Sequence, residues 1–261
     1  MIPVVRHVDA LLAPVMDAEA PGPDAVAAHM VATGYGRAWV DRCPQARVLA
    51  VEVADNYLIR GDAEAACEAG LEEIVYGFVD APPSFEPVLK SLADRFATWD
   101  RVILADPHES GPPSELAPPS VAEAPPGCAL RRLESGDADA LAALDPDLTW
   151  IAKTWGGPSG LAGSGMAWGA FVDGRLVSVA CTFFQGRRHE DIGVVTEREF
   201  RRRGLSAAAA ARLCLDIRAR GRRPTWSTTP DNVGSLQVAR QLGFQEVRRD
   251  VMYLVGIDPP D

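Results

Sequence analysis

The segment from Val194 to Ala207 constrains the fold more than any other part of this sequence. Its letters, VVTEREFRRRGLSA, describe the end of a strand, a loop rich in arginine and a glycine that opens a helix. The first N–H groups of a helix have no intrahelical partner, and with the helix dipole they attract anions. Gly204 has no Cβ, so a phosphate can approach its backbone closely. The segment therefore predicts a pyrophosphate site.

The elements around this segment follow a definite order. Apolar and alternating runs predict strands over 128–133, 166–172, 176–184, 192–196 and 224–229, and a final strand or strand pair over 244–257. Asp173 and Gly174 indicate a hairpin turn. A helical region is expected from Ala138 to about Trp155. The long helix over 203–220 has one apolar face, formed by Leu205, Ala209, Leu213 and Ile217, and Asp231 or Asn232 is expected to cap a last helix that ends at Leu242.

The first part of the chain predicts a smaller α+β module. Strands are expected over 46–53, 56–60, 73–79 and 102–104, and helices over 63–71 and 84–96, with Ser84 as N-cap. A stretch rich in proline follows, which favours extended chain. We therefore expect an N-terminal α+β domain over 1–105, a linker over 106–126 and a second domain over 127–261. No internal repeat is visible in the sequence.

Several phosphate-binding and catalytic motifs are absent from the sequence. The chain has two lysines, Lys90 and Lys153, and neither follows a glycine, which excludes a P-loop. There is no G-x-G-x-x-G fingerprint and no G-x-S-x-G nucleophile elbow. The five cysteines form no C-x-x-C pair, so we expect free structural thiols and no metal site.

The motifs that remain resemble those of the GNAT superfamily of N-acetyltransferases. Arg201-x-x-Gly204-x-Ser206 matches the R/Q-x-x-G-x-G/A loop of that family, and Asn232-x-x-Ser235 followed by Leu242-Gly243-Phe244 matches its N-x-x-S/A…L-G-F segment. The resemblance covers about residues 127–257. More loosely, the whole chain resembles a GNAT subfamily with an extra N-terminal α+β half, of the zwittermicin-resistance type. It implies a mixed, splayed sheet flanked by helices, the GNAT acyl-CoA N-acyltransferase fold, preceded by the smaller α+β domain.

The resemblance also implies a cosubstrate, acetyl-CoA, and roles for individual residues. The backbone of Val194, Val195 and Thr196 would bind the pantetheine arm. The amides of the loop and helix start would hold the pyrophosphate, and Asn232 and Ser235 would contact the pantetheine or the thioester. The pyrophosphate-binding residues expected in this way are Arg201, Arg202, Arg203, Gly204, Leu205 and Ser206. The simpler interpretations are a plain N-cap for Asn232, a small packing residue for Ser235 and a solvated basic turn for the arginines.

The proton transfers are less defined by the sequence. An alkyl amine is protonated at pH 7, so a base is expected, directly or through water. Glu190 and Asp191 lie at the start of the strand that leads to the loop and are the candidate catalytic residues, with His189 as a weaker one and a solvated turn end as the simpler interpretation. Many members of the family have a tyrosine, the general acid, seven residues after the asparagine; this chain has Ala239 there.

A further region bears on the acceptor. The segment Gly156–Gly165 is rich in glycine and lies where this fold places its acceptor-binding loop, so it is expected to be mobile. Trp150, Trp155 and Trp168 flank it. An aromatic wall could bind an amine through cation–π contacts, but core packing is expected for at least two of the three.

Charge and composition limit the partners. Residues 1–126 carry 8 basic and 20 acidic residues, whereas residues 127–261 carry 18 basic and 16 acidic ones. The acidic half disfavours nucleic acid, and no apolar run is long enough to span a membrane. We expect a cytoplasmic enzyme that acetylates the amine of a small molecule, and a homodimer is left open. The alternatives are a protein N-terminal or lysine acetyltransferase and a catalytically silent acyl-CoA sensor.

Overall fold

Twelve strands form one mixed sheet in the computed structural model of the protein, which describes residues 1–4, 8–106 and 124–259. Most of the predicted linker, residues 107–123, lies outside the described residues. In chain order the first six strands are β1 Ile2–Pro3, β2 Arg37–Val40, β3 Val48–Val53, β4 Asn56–Gly61, β5 Gly77–Asp80 and β6 Phe96–Ala105. The other six are β7 Cys128–Arg132, β8 Ala167–Val172, β9 Arg175–Gln185, β10 His189–Thr196, β11 Arg223–Thr228 and β12 Gln245–Val255.

Helices cover both faces of this sheet. The α-helices in the described part of the chain are α1 Val8–Asp17, α2 Val26–Thr33, α3 Ala63–Ala66, α4 Glu86–Ser91, α5 Ala138–Ala142, α6 Pro158–Ser164, α7 Leu205–Ala219 and α8 Val233–Gln241. A 3₁₀ helix over Pro146–Trp155 follows α5. Buried side chains of α7 and α8 pack on one face of the sheet. Those of α2 and of the 3₁₀ helix pack on the other face.

The two halves of the chain exchange strands at the middle of the sheet. The strand order is β1-β2-β3-β4-β5-β12-β6-β11-β10-β9-β8-β7. The last strand, β12, therefore lies between β5 and β6, and β6 lies between β12 and β11, with antiparallel pairing at all three contacts. The predicted boundary at 106–126 separates two segments that share one sheet, and the division into two domains stays a prediction.

The element order of the first half repeats in the second. The series β2-β3-β4-α3-β5-α4-β6 corresponds to β8-β9-β10-α7-β11-α8-β12, and the strands that flank α3 and α7 are parallel in both series. If each strand is replaced by its counterpart in the other half, the central order β5-β12-β6-β11 becomes β11-β6-β12-β5, which is the same order in reverse. An approximate two-fold axis thus passes through the β6–β12 ladder, where Arg101 pairs with Asp250. Contrary to the sequence interpretation, the chain contains a structural repeat.

The predicted elements of the second half are close to the observed ones. Asp173 and Gly174 have φ of 49° and 79° and join β8 to β9 as the predicted hairpin turn. The first half differs more. Ser84 lies inside a 3₁₀ turn and is not the N-cap of α4, and the helix predicted over 84–96 ends at Ser91. Phe96 instead begins β6, because Phe96 and Val102 pack in two hydrophobic clusters that each combine residues of both halves.

Candidate active site

The loop before α7 leaves backbone N–H groups free to bind an anion. Gly204 has φ of 77° and Arg202 has φ of 62°, and these left-handed residues turn the chain into the helix. The first helical hydrogen bond runs from the Ala208 N–H to the Gly204 carbonyl, at 3.0 Å. Within the described ranges, no acceptor binds the N–H groups of Leu205, Ser206 and Ala207, and no side chain caps the helix.

The arginines of this loop are exposed and surround the helix start. Arg201, Arg202, Arg203 and Gly204 are all exposed, whereas Leu205 is buried. Arg201 donates to the Thr196 carbonyl at 3.2 Å, and Arg203 lies 4.9 Å from the Phe200 ring. The three arginines directly precede the helix start in sequence, and guanidinium groups form strong charge-assisted hydrogen bonds with phosphate oxygens.

The corresponding place in the first half is closed. A single residue, Asp62, separates β4 from α3, and its carboxylate accepts hydrogen bonds from the backbone of Glu64 at 2.9 Å and Ala65 at 3.4 Å. The helix that follows has four residues. Because an internal carboxylate already occupies this helix start, the first half has no comparable anion site.

Strand β10 separates from its parallel neighbour after three residues. Its pairing with β11 covers His189–Arg223, Glu190–Pro224 and Asp191–Thr225, whereas its pairing with β9 continues to Thr196. The edge of β10 from Ile192 to Thr196 therefore faces a gap. Backbone groups of Val194, Val195 and Thr196 lie along this edge and lead to the loop before α7, so an extended chain can add to the strand there.

The side chains of Asn232 and Ser235 have partners within the protein. The Asn232 side chain accepts a hydrogen bond from the Ser235 N–H at 3.1 Å and caps α8. The Ser235 hydroxyl accepts one from the Trp226 indole at 2.8 Å. Ala239 is fully buried in the core cluster behind them. Both residues thus stabilise the start of α8 beside the gap, whatever further contacts they make.

Asp191 lies at the point where β10 and β11 separate. Its carboxylate accepts hydrogen bonds from Thr225 at 2.8 Å and Ser227 at 3.1 Å, and the residue is buried. Burial raises the pKa of Asp191 above its ordinary value, and it outweighs the two hydrogen bonds and the positive charges of Arg101 and Arg248. A carboxylate with a raised pKa is suited to accept a proton at neutral pH.

Glu190 faces a different environment. It is fully buried, and Arg220 and Arg222 form ion pairs with it at 2.7 and 3.0 Å. Thr182 donates a further hydrogen bond at 2.5 Å. Burial acts to raise the pKa of Glu190, but the arginines and Thr182 hold it below its ordinary value. The structure therefore does not bring Glu190 and Asp191 together as a catalytic pair.

A contact between the halves that the sequence did not suggest lies next to this site. Glu19 is buried after α1, and its carboxylate accepts hydrogen bonds from the backbone N–H groups of Arg187, Arg188 and His189 at 2.7, 3.0 and 2.8 Å. The His189 ring lies 3.3 Å from the same carboxylate. The hydrogen-bond partners of the Glu19 carboxylate are backbone groups distant in sequence, so no local pattern predicts this role of Glu19. The contact fixes residues 19–24 over β10 and β11.

The glycine-rich segment differs from the sequence expectation. Pro158–Ser164 form the helix α6, and Gly156 receives the ring of Tyr35 from the first half. A Cβ at Gly156 would lie 2.3 Å from Tyr35 Cε1, so only glycine fits there. Trp155 is buried and donates to the Thr182 carbonyl, while Trp150 is exposed and meets the Phe183 ring edge at 5.3 Å. Trp168 binds Asp216 and contacts two arginines.

The described residues also bear on metal binding, membrane insertion and disulfide formation. In the described residues no group of His, Cys, Asp or Glu side chains could hold a metal ion. Over the same ranges, no helix has both the length and the apolar character needed to cross a membrane. All five cysteines are free thiols.

Known proteins resemble this chain over most of its length. A family profile described as GNAT acetyltransferase matches residues 20–253. An uncharacterized N-acetyltransferase from the mutA 5' region of Streptomyces virginiae is 41% identical over 202 residues, which cover 77% of this chain and 81% of the relative. Another, YdfB of Bacillus subtilis (strain 168), is 24% identical over 132 residues, covering 51% of this chain and 50% of the relative.

Solved structures share the fold at low sequence identity. A GCN5-related N-acetyltransferase-like protein from Streptococcus suis 89/1591 superposes with a TM-score of 0.68 at 15% identity and covers 93% of this chain and 99% of its own. A tandem GNAT protein from the clavulanic acid biosynthesis pathway gives 0.59 at 14% identity and covers 100% and 99%. These likenesses confirm the predicted fold class, a mixed, splayed sheet flanked by helices with an additional α+β half.

Proposed function

Since the chain belongs to the GNAT acetyltransferase family and is an N-acetyltransferase, we propose that it transfers the acetyl group of acetyl-CoA to the amine of a small molecule by direct attack on the thioester. The observation that carries this proposal is the uncapped start of α7 beside the open edge of β10. One part accepts a pyrophosphate and the other an extended pantetheine arm. The remaining steps assign roles to residues on either side of this gap.

The acyl-CoA site is proposed on the α7 side of the sheet. The free N–H groups from Leu205 to Ala207 and the three exposed arginines hold the pyrophosphate. The backbone of Val194, Val195 and Thr196 continues the sheet by hydrogen-bonding the pantetheine arm. Asn232 and Ser235 hold the start of α8 against the arm, because their own hydrogen bonds fix that turn.

Of the two candidate bases, we assign proton removal to Asp191. Asp191 takes one proton from the ammonium group, directly or through a water molecule, and passes it to solvent. The neutral nitrogen then attacks the acetyl carbon, a C–N bond forms and the C–S bond breaks. The thiolate of CoA takes the second nitrogen proton. No tyrosine is needed for this last step, which agrees with the buried alanine at position 239.

The cover that the first half places on the acceptor side favours a small molecule. Residues 19–24 of the first half cover β10 and β11, and the Glu19 contacts hold them there. Gly22 packs against Ile103 and Ser227, so an added Cβ would lie 3.2 Å from each. A protein substrate needs an open groove for its backbone, and this cover narrows the approach. Acetylation of a protein and acyl-CoA sensing without turnover remain the alternative functions.

The proposal is tested by an acceptor screen that follows free thiol. Purified protein is mixed with acetyl-CoA and a panel of small amines, N-terminal peptides and lysine peptides. Thiol release with small amines and none with peptides is expected. Release only with peptides would favour protein acetylation. Calorimetric binding of acetyl-CoA with no release from any acceptor would favour a sensor.

A further inference from the structure

A cleft of about 250 Å³ opens at the seam between the halves. Its wall is a chain of alternating charges that we call the seam network, and both halves contribute to it. The residues of the seam network, in order of contact, are Asp24, Arg60, Asp80, Arg101, Asp250 and Arg248. The carboxylates and guanidinium groups are equal in number, so the charges of the cleft wall balance.

The carboxylates of the seam network are already satisfied. Asp24 accepts from Arg60 at 2.7 Å and from the Ala20 N–H at 3.1 Å. Asp80 accepts from Arg60 with one oxygen and from Arg101 with the other. Asp250 accepts from Arg101 at 2.7 Å and from Arg248 at 2.8 Å, again with different oxygens.

Arg248 is the member of the seam network with the most unused hydrogen-bonding capacity in the described part of the chain. It donates to Asp250 through Nε, and no residue in the described ranges accepts from its two Nη atoms. Its side chain is 31% exposed and lines the cleft. Each carboxylate oxygen of the seam network already accepts a hydrogen bond, whereas the Nη groups of Arg248 have no acceptor in the described ranges, so this part of the cleft is complementary to an anion. The planar arginine fork matches a carboxylate with two parallel hydrogen bonds.

The cleft lies next to the proposed base. Ser227, which donates to Asp191, contacts Gly22, and Gly22 is two residues from Asp24, a span of at most ~7 Å. Arg248 is also close enough for its charge to act on Asp191. A ligand carboxylate at Arg248 and an amine at Asp191 would thus belong to one small molecule on the same face of the sheet.

We infer that the acceptor is a small amino carboxylate, held by its carboxylate at Arg248 in the seam cleft while its amine lies at Asp191. This inference rests on the proposed acetyl transfer and names its substrate class. The contact between ligand and Arg248 is a charge-assisted pair, and its loss should raise the acceptor KM about 10- to 100-fold.

The test compares acceptors with and without a carboxylate, in variants that lose an arginine from one face or the other of β12. The acceptors are a series of amino acids of increasing amine-to-carboxylate distance and the matching amines without the carboxylate. The variants are Arg248→Gln and, as a control, Arg249→Gln. Arg249 is the next residue on β12, is exposed and pairs with Glu246 at 2.7 Å, so the same charge is removed from the opposite face.

We expect a specific effect only where Arg248→Gln is combined with the amino acid series. Wild type and Arg249→Gln should prefer a member of the amino acid series, and Arg248→Gln should lose this preference through acceptor KM with acetyl-CoA affinity unchanged. Any effect of Arg248→Gln that acts through the charge on Asp191 should be equal for both series, so the loss for the amino acids should exceed the loss for the matching amines.

Two outcomes would overturn the inference alone. One is a preference for amines that lack the carboxylate. The other is an equal effect of Arg248→Gln on both series, which would mean that Arg248 acts through Asp191. No thiol release with either series or with peptides would instead defeat the proposed function itself.

Discussion

Asp191 and Glu190 are adjacent in sequence but their carboxylates have opposite electrostatic surroundings. Burial dominates at Asp191, whose partners are two hydroxyl groups. At Glu190 the two arginines dominate. The strand pattern predicts that neighbouring side chains face opposite sides of a sheet, and the sequence indicated that one of them meets the substrate. The sequence could not indicate which carboxylate this is, because the arginines that pair with Glu190 are distant from it in sequence. They are Arg220 and Arg222, at the end of α7.

The two carboxylates should therefore respond differently to removal of their charge. Asp191→Asn should lower kcat/KM at neutral pH, and the rate should recover as the pH approaches the pKa of the amine. Glu190→Gln should leave the shape of this profile unchanged and should lower the free energy of unfolding by roughly 3 kcal/mol, since it leaves arginines without their partner. Measurement of kcat/KM against pH, with acetyl-CoA affinity as control, checks both. An unchanged profile for Asp191→Asn would remove it as the base.

Stability gives an independent measure of Asp191. Its pKa in the folded protein is raised, so the folded state holds its proton more tightly than the unfolded state does. The stability linked to this proton is fully present below the unfolded pKa and is lost as the pH rises through the folded pKa. Asp191→Asn should therefore raise Tm at pH 7 and change it less at pH 4. Thermal melts at the two pH values test this, and a lower Tm at pH 7 would contradict it.

Gly204 is the residue whose replacement tests the cosubstrate site most directly. Its φ of 77° makes any side chain costly by ~1 kcal/mol, but among the residues that the structure describes a Cβ there would meet only Pro125, at 3.8 Å. Gly204→Ala should thus cost some stability and retain acetyl-CoA binding. Gly204→Glu should keep the fold at similar cost and abolish binding, because it adds an anion at the pyrophosphate position. Equal calorimetric affinities for the two variants would show that no pyrophosphate binds there.

At the scale of elements, prediction was most accurate where local chemistry determines the structure. The turn at Asp173–Gly174, the strand β10 and the helix α7 follow from periodicity, glycine and the missing partners of a helix start. The helix α2 and the strand β2 are not predicted from the sequence, and the helix predicted over 84–96 continues past the observed end of α4 at Ser91. Phe96 was assigned to a helix, although it belongs to a strand whose neighbours, β11 and β12, lie more than a hundred residues later in the chain. Such long-range pairing leaves no local pattern.

The contrast between α3 and α7 predicts the number of cosubstrate sites. Asp62 caps α3 from within, whereas the start of α7 is open. Titration of the protein with acetyl-CoA should therefore give one site per chain. Asp62→Ala should reduce stability by about 1 kcal/mol without creating a second site. A stoichiometry of two in either protein would contradict the assignment of the closed half.

At the scale of the whole molecule, the exchanged strands make each half depend on the other. Without β6, a fragment of residues 127–261 would expose the edges of β11 and β12. Exposed edges pair with other chains, so we expect each half expressed alone to aggregate. Residues 1–106 and 124–261 expressed together as two chains should form a complex that keeps turnover. Gel filtration and thiol release check this, and full activity of the isolated 127–261 fragment would contradict it.

The repeat itself was beyond sequence reasoning, and the reason is physical. Equivalent positions of the two halves have different tasks: Arg101 and Asp250 meet across the axis with opposite charges, and Asp62 stands where the other half has an arginine loop. The side chains at these positions therefore differ in charge and contacts, although the pairing of the strands is the same in both halves. The acidic excess of the first half, visible in the sequence, includes Asp24 and Asp80, which are satisfied by arginines of the seam network.

The exchange of β6 and β12 also determines when this protein can fold during its synthesis. A ribosome delivers the chain from its N-terminus, and domains usually fold in that order. Here Tyr253 and Val255 belong to the hydrophobic core of the first half, so that core stays incomplete until β12 has been synthesised. The nascent first half exposes apolar surface and strand edges until then, and we expect chaperones to bind it until β12 has been synthesised.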